Sequence, residues 1–187
     1  MSSWTSPDDP LVAHLERLEA REDRASLAAL RASLQDGRAL EGLRVVLPFV
    51  RRSESDFAQR RAEDDALLLG GLFALNPESG SLTLADAMRI VAGDSDSVEQ
   101  RFRALLGARR DDLASHLRHA VSLVGSKKLA LDWRNLAWAI RGWDRDDDRV
   151  RRFWAQRFWA AKGDENGDGA GSDSSANDDN NDRSTNA

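Results

Sequence analysis

The chain has 187 residues, which sets an expectation of one or two domains. It contains no cysteine, so disulfides and thiolate metal sites are excluded and a reducing cytoplasm is the matching compartment. The formal charge of -5 is unevenly spread: seven acids against one base give residues 163–187 a charge of -6 and leave the first 162 residues at +1. Any polyanion must therefore be held by local basic patches, not by overall charge.

The amino terminus, Met1-Ser2-Ser3-Trp4-Thr5-Ser6-Pro7, lacks the basic segment and apolar run of a signal peptide, and no apolar stretch approaches the length of a membrane span. The expectation is a cytoplasmic chain with no membrane partner. Asp9-Pro10 opens the first helix, with Asp9 as N-cap and Pro10 at the first helical position. Leu11, Leu15 and Leu18 form its apolar stripe. A second helix carries Leu27, Leu30 and Leu34 and is predicted to end at Gly37. Arg24 and Arg31 project from it on a similar side, being seven residues apart. The run from Leu40 to Val50 is helical, with Pro48 ending or kinking it.

Asp56 to Leu75 reads as one long helix, charged in its first half and apolar all round in its second. Gly70-Gly71 within it fits close helix–helix approach; a phosphate-binding loop would need further glycines and a lysine. Asn76 to Gly80 reads as a turn. Thr83 to Val91 is a short helix ended by Gly93. Asp96-Ser97-Val98-Glu99 resembles a capping box for a helix that buries Val98, Phe102, Leu105 and Leu106. Arg101 and Arg103 flank that stripe, and Arg109-Arg110 lies at the next junction. Asp111 to Val124 is amphipathic, with Leu113, Leu117, Ala120, Val121 and Val124 inward and Arg118 pointing away. Gly125-Ser126-Lys127-Lys128 is a loop.

Five of the six tryptophans then fall between Asp132 and Ala161, interleaved with arginines. With Asp132 as N-cap, Trp133, Leu136, Ala137, Ile140 and Trp143 share one face of a helix, a stripe that must meet a core. Arg134, Trp138 and Arg141 share a neighbouring face. Indole beside guanidinium can stack on bases or grip phosphate, or can form a solvated basic edge. On the last helix Arg157 falls within the apolar side of Val150, Phe153, Trp154 and Phe158, so a carboxylate is expected for it, from Asp132 or Asp144.

No stretch reads as a strand. The fold class is all-α: about nine helices in two small bundles, residues 1–93 and 94–162, followed by a disordered acidic tail, 163–187. Asp164-Glu165-Asn166-Gly167-Asp168-Gly169 matches the first half of a calcium loop, but Ser175 stands where a glutamate is required. Asp112, His116 and His119 share a helix side without a clear further ligand, so they read as surface residues and neither metal nor cofactor is expected. No nucleophile is paired with a base, and no enzyme is expected.

The run from Val98 to Trp159 resembles the CasB family, the small subunit of the type I-E Cascade complex of CRISPR systems. The residues that carry the likeness are Arg101-Phe102-Arg103-Ala104-Leu105-Leu106, Leu117-Arg118-His119, Leu131-Asp132-Trp133-Arg134-Asn135-Leu136, Trp143 and Arg152-Phe153-Trp154-Ala155-Gln156-Arg157-Phe158-Trp159. Leu72-Phe73-Ala74-Leu75-Asn76-Pro77 and Leu47-Pro48 fit more loosely. The resemblance implies an all-α, non-catalytic scaffold that works with the other Cascade subunits and a second copy of itself. It implies contact with guide RNA and target DNA, stabilising the R-loop in antiviral defence. Arg101, Arg110 and Arg118 match basic positions of the family, and His119 stands where the family often has a base. Arg31, Arg141 and Arg145 match more loosely. Arg109, Lys127, Lys128 and Arg134 complete the candidate backbone contacts. The readings from other classes are a helical protein–protein adaptor that ignores nucleic acid, and a standalone single-strand binder that stacks bases on Trp138 and Trp159.

Overall fold

A computed structural model describes residues 8–35, 37–93 and 95–160. Nine α-helices follow in chain order among them: α1 (Pro10–Ala20), α2 (Arg24–Ala32), α3 (Ala39–Val46), α4 (Asp56–Leu75), α5 (Leu84–Ala92), α6 (Asp96–Leu106), α7 (Arg110–Ser126), α8 (Trp133–Arg141) and α9 (Arg149–Ala155). A 3-10 turn, Leu47–Phe49, follows α3, where Pro48 ends the α-helical hydrogen bonding. A π turn, Gln156–Ala160, continues α9. The chain is all-α, as its periodicity predicts.

The long helix α4 is the axis of the molecule. It meets α1, α2, α3, α7 and α8, and Leu69 to Ala74 are buried on every side. Gly70 and Gly71 are what let α2 come so close. A Cβ on Gly71 would stand 2.5 Å from Leu34 Cγ, and one on Gly70 would stand 2.8 Å from Leu30 Cδ2. Leu30 is fully buried and has nowhere to go. Gly70→Ala is therefore expected to destabilise the fold by about 1–3 kcal/mol through overpacking, measured by urea denaturation.

One apolar cluster runs from Leu11 of α1 to Phe158 of the π turn, drawing on helices on both sides of Gly93. Asp9 caps α1 by accepting from the amides of Leu11 at 3.0 Å and Val12 at 3.1 Å. Asp132 caps α8 by accepting from Asn135 N at 2.9 Å. The stripe of α8 is buried as its spacing predicts: Trp133, Leu136, Ala137 and Ile140 all face the core, as does Trp143 just beyond.

Four local expectations are corrected. A short strand, β1 (Ser79–Leu82), replaces part of the expected turn and bridges in parallel to Leu131. Leu131 N donates to Glu78 O at 3.0 Å, and Trp133 Nε1 donates to the same carbonyl at 3.2 Å. These bonds seat the start of α8. They need Gly80, since a Cβ there would meet Ala130 Cβ at 2.7 Å. The capping box lies at Thr83 and Asp86, ahead of α5, and not at Asp96 to Glu99. Asp96 is already inside α6, where its charge still suits the positive end of the helix dipole. Helix α2 stops at Ala32, short of Gly37, because the Ser33 hydroxyl donates to the carbonyl of Leu30 at 2.7 Å while Leu34 turns in against Gly71. Arg157 is half-exposed, not buried. Its guanidinium lies over the Phe153 ring at 5.5 Å and pairs with Asp86 at 3.6 Å, not with Asp132 or Asp144.

Candidate nucleic-acid interface

Helices α6 and α7 carry an unusual charge pattern. From Gln100 to Arg110 there is no acid, and Arg101, Arg103, Arg109 and Arg110 all fall in that stretch. From Leu113 to Leu131 there is again no acid, and Arg118, Lys127, Lys128, His116 and His119 fall there. The acids of both helices sit at their amino-terminal ends, Asp96 and Glu99 in α6 and Asp111 and Asp112 in α7, where they complement the helix dipoles. Beyond those ends neither helix carries an acid, although Arg103 still pairs with Glu99 at 2.7 Å.

Three of these residues meet. Arg101 of α6 and His116 and His119 of α7 line a cleft of about 460 Å³ together with Met88, Ala104 and Leu123. Arg118 and His119 are neighbours in sequence, about 100° apart around α7, and both are exposed. The Arg118 guanidinium donates to Leu34 O at 3.3 Å, just beyond the end of α2. Lys127 and Lys128 close α7, and Lys128 takes a positive φ of 54° to turn the chain toward α8. Among the described residues, Arg101, Arg109, Arg118, Lys127 and Lys128 form no ion pair with a carboxylate. Their charge is available to an incoming anion. Sequence reasoning set His116 aside as a failed metal ligand; the acid-free run that it shares with Arg118 and His119 is the signal that marks it as part of a cationic surface. Among the described residues no group of three or more His, Cys, Asp or Glu is arranged to hold a metal ion.

The other candidates are differently placed. Around α8, Arg134, Trp138, Arg141, Arg145 and Arg149 line a small second cleft together with Asp9, but carboxylates answer them. Arg134 is bidentate on Glu16 at 3.2 and 3.0 Å. Arg141 pairs with Asp9, which is buried. Arg145 and Arg149 share Asp147 at 3.9 and 4.0 Å. Arg110 pairs with buried Asp65 and donates to Ile140 O at 2.7 Å. Burial, and then the Arg61 guanidinium beside it, hold Arg110 below its ordinary range, while Asp144 and Asp64 oppose that shift. Arg31 donates through Nε to Ala74 O at 3.1 Å and so caps the carboxyl end of α4. Arg101 thus lies on α6, Arg118 and His119 on α7, and Lys127 and Lys128 just past its end, while Arg110, Arg134 and Arg141 are tied into the fold.

The described tryptophans are committed to packing. Trp138 is half-buried, edge-on to Phe153 at 5.7 Å, with Arg149 above its ring at 5.8 Å. Trp159 lies edge-on to Phe102 at 5.6 Å, beneath Arg103, and donates to Glu99 at 3.1 Å. The half calcium loop at Asp164 and the whole acidic segment 163–187 lie outside the described residues.

Residues 26–159 match the model of the family described as CRISPR-associated protein Cse2. The CRISPR-associated protein Cse2 of Thermus thermophilus is 32% identical over 161 residues, which are 83% of this chain and 92% of that protein. The crystal structure of CasB from Thermus thermophilus agrees with a TM-score of 0.70 at 32% identity, over 83% of this chain and 99% of that one. The crystal structure of M. ruber CasB agrees with a TM-score of 0.70 at 26% identity, over 84% and 97% of the two chains.

Proposed function

Because this chain belongs to the CRISPR-associated Cse2 family, also named CasB, we propose that it is the small subunit of a type I-E Cascade effector, holding guide RNA and target DNA by their backbones. Its task is to stabilise the R-loop opened when guide pairs with target. The observation that carries this reading is the stretch of α6 and α7 beyond their amino-terminal acids, where Arg101, Arg118, Lys127 and Lys128 have no carboxylate partner among the described residues.

A subunit of this kind needs only phosphate contacts, because base pairing between guide and target supplies the sequence information. Guanidinium and ammonium groups on two packed helices offer a fixed track, and each phosphate neutralised releases counterions. A second copy of the chain extends the track along the duplex, and the other Cascade subunits hold both copies in place. No residue is assigned a covalent step. The division into 1–93 and 94–162 belongs to the same proposal, since it assigns the whole cationic surface to the second unit.

The test is the double variant Arg101→Ala, Arg118→Ala in a reconstituted complex. Neither side chain pairs with a carboxylate among the described residues, so the fold should persist and the complex should assemble. Target DNA retention at about 150 mM salt is expected to fall roughly tenfold, as two lost phosphate contacts imply. Retention at the unaltered level in a correctly assembled complex contradicts the proposal.

A further inference from the structure

We propose that the cleft between α6 and α7 seats an unpaired nucleobase, so that the subunit holds a single strand by an extruded base as well as by phosphates. The inference rests on the nucleic-acid reading given above and names what this part of the surface takes.

The make-up of the cleft is the first argument. Met88, Ala104 and Leu123 give it apolar lining, while Arg101, His116 and His119 bring one guanidinium and two imidazoles. A track for phosphates needs only cations on an open surface. It leaves a concave apolar lining among those cations unexplained. An unstacked base uses both features. Its faces stack on imidazole rings and guanidinium planes, and its edge carries hydrogen-bond donors and acceptors. The Ser122 hydroxyl and the imidazole nitrogens are groups in the cleft that can meet that edge. A volume of about 460 Å³ falls within the range of about 300–1,000 Å³ of sites that take small organic groups.

The second argument is what the cleft lacks. Its lining holds no aspartate or glutamate. The cleft around Phe57 and Arg51 is lined by Asp8, Asp9 and Asp65, and the one around Trp138 and Arg149 by Asp9. So where the arginine-rich stretches 42–53 and 149–160 reach these clefts, a carboxylate stands in them. Here none does, and Arg101 has no carboxylate partner among the described residues, so its guanidinium is available to the phosphate next to the base.

The third argument is how the sequence builds the site. His116, His119 and Leu123 stand at i, i+3 and i+7 and share one side of α7, and Arg101 and Ala104 stand at i and i+3 on α6. Ala104 is exposed, and its small side chain leaves the cleft open between the two helices. A duplex keeps its bases stacked and paired, so only an unpaired strand can offer one. In an R-loop that strand is the displaced one.

The experiment uses the full chain and two labelled probes of about 20 nucleotides, the span of a guide–target duplex. One is oligothymidylate; the other has the same phosphodiester backbone and charge but no bases. At about 150 mM salt the native chain is expected to bind oligothymidylate about five- to tenfold tighter, the lower end of what one stacked base contributes. Ala104→Leu and, separately, Ser122→Leu fill the cleft from its two walls, at exposed positions and without a change of charge. Each is expected to bring oligothymidylate to the affinity of the baseless probe, while the baseless probe keeps its native affinity and salt dependence. Equal affinity of the native chain for both probes overturns base binding and leaves the phosphate reading standing. A preference that survives in either variant, with a native circular dichroism spectrum, puts the base elsewhere and overturns the site. Binding of neither probe by the native chain overturns the phosphate reading and this inference with it.

Discussion

Replacing Arg110 with alanine is expected to lower the stability of the free protein by about 3–5 kcal/mol, because it leaves a buried carboxylate without its counter-charge. Asp65 is only 6% exposed, and Arg110 lies against it from the first turn of α7 while also donating to Ile140 O at the end of α8. One side chain thus joins α4, α7 and α8. Urea denaturation checks the value: the midpoint should fall while the slope against denaturant holds. The double variant Asp65→Leu, Arg110→Met should recover most of the loss, since apolar groups of similar volume remove the desolvation cost along with the attraction. A loss below about 1 kcal/mol for the single variant would mean that the pair does not hold these helices together. Substitution of Arg110 reads stability first, which is why Arg101 and Arg118 make the cleaner test of binding.

Trp143→Ala should be equally severe, at about 3–5 kcal/mol. The indole is 1% exposed and packs on Trp154 with ring centroids 5.4 Å apart. Its Nε1 donates to Ala108 O at 3.0 Å. Arg151 lies over the ring at 4.8 Å and reaches the carbonyls of Leu106 at 3.0 Å and Ala108 at 3.3 Å. Trp143 and Arg151 together fix the link between α6 and α7, and so the angle at which the two cationic helices meet. Trp143→Phe keeps most of the packing and loses the hydrogen bond, so about 1–2 kcal/mol is expected. Hydrogen exchange at the amides of 107–109 should quicken in the alanine variant more than in the phenylalanine one.

The helices were legible because their information is local. The 3.6-residue spacing of Trp133, Leu136, Ala137, Ile140 and Trp143 marks a buried face whatever it packs against, and it is buried. Asp56 to Leu75 reads as one helix from its apolar second half, and Gly70-Gly71 reads as a close approach; α4 has those bounds and α2 meets those glycines. The partners of the arginines were not legible, because they are remote in the chain. Arg141 pairs with Asp9, Arg134 with Glu16 and Arg110 with Asp65, and no periodicity links such positions. Arg157 shows the same limit: on a helical wheel it falls among apolar residues, but its guanidinium lies over Phe153 and pairs with Asp86, 71 residues away in the chain. Strand β1 went unread because its four residues, Ser79–Leu82, alternate too little to stand out and it exists only by bridging to Leu131. What marks the candidate surface is a negative signal, long stretches without acid, and it gains meaning only once the fold brings α6 and α7 side by side.

The proposed function requires that the cations of α6 and α7 with no carboxylate partner among the described residues make the phosphate contacts. It is tested most directly by the salt dependence of target DNA binding in the assembled complex, for the native chain and for the variant Arg101→Ala, Arg118→Ala, Lys127→Ala. Three lost phosphate contacts should flatten the slope of log K against log salt by about 2 to 3 units. An unchanged slope in a fully assembled complex would contradict the claim and return the surface to ordinary solvent.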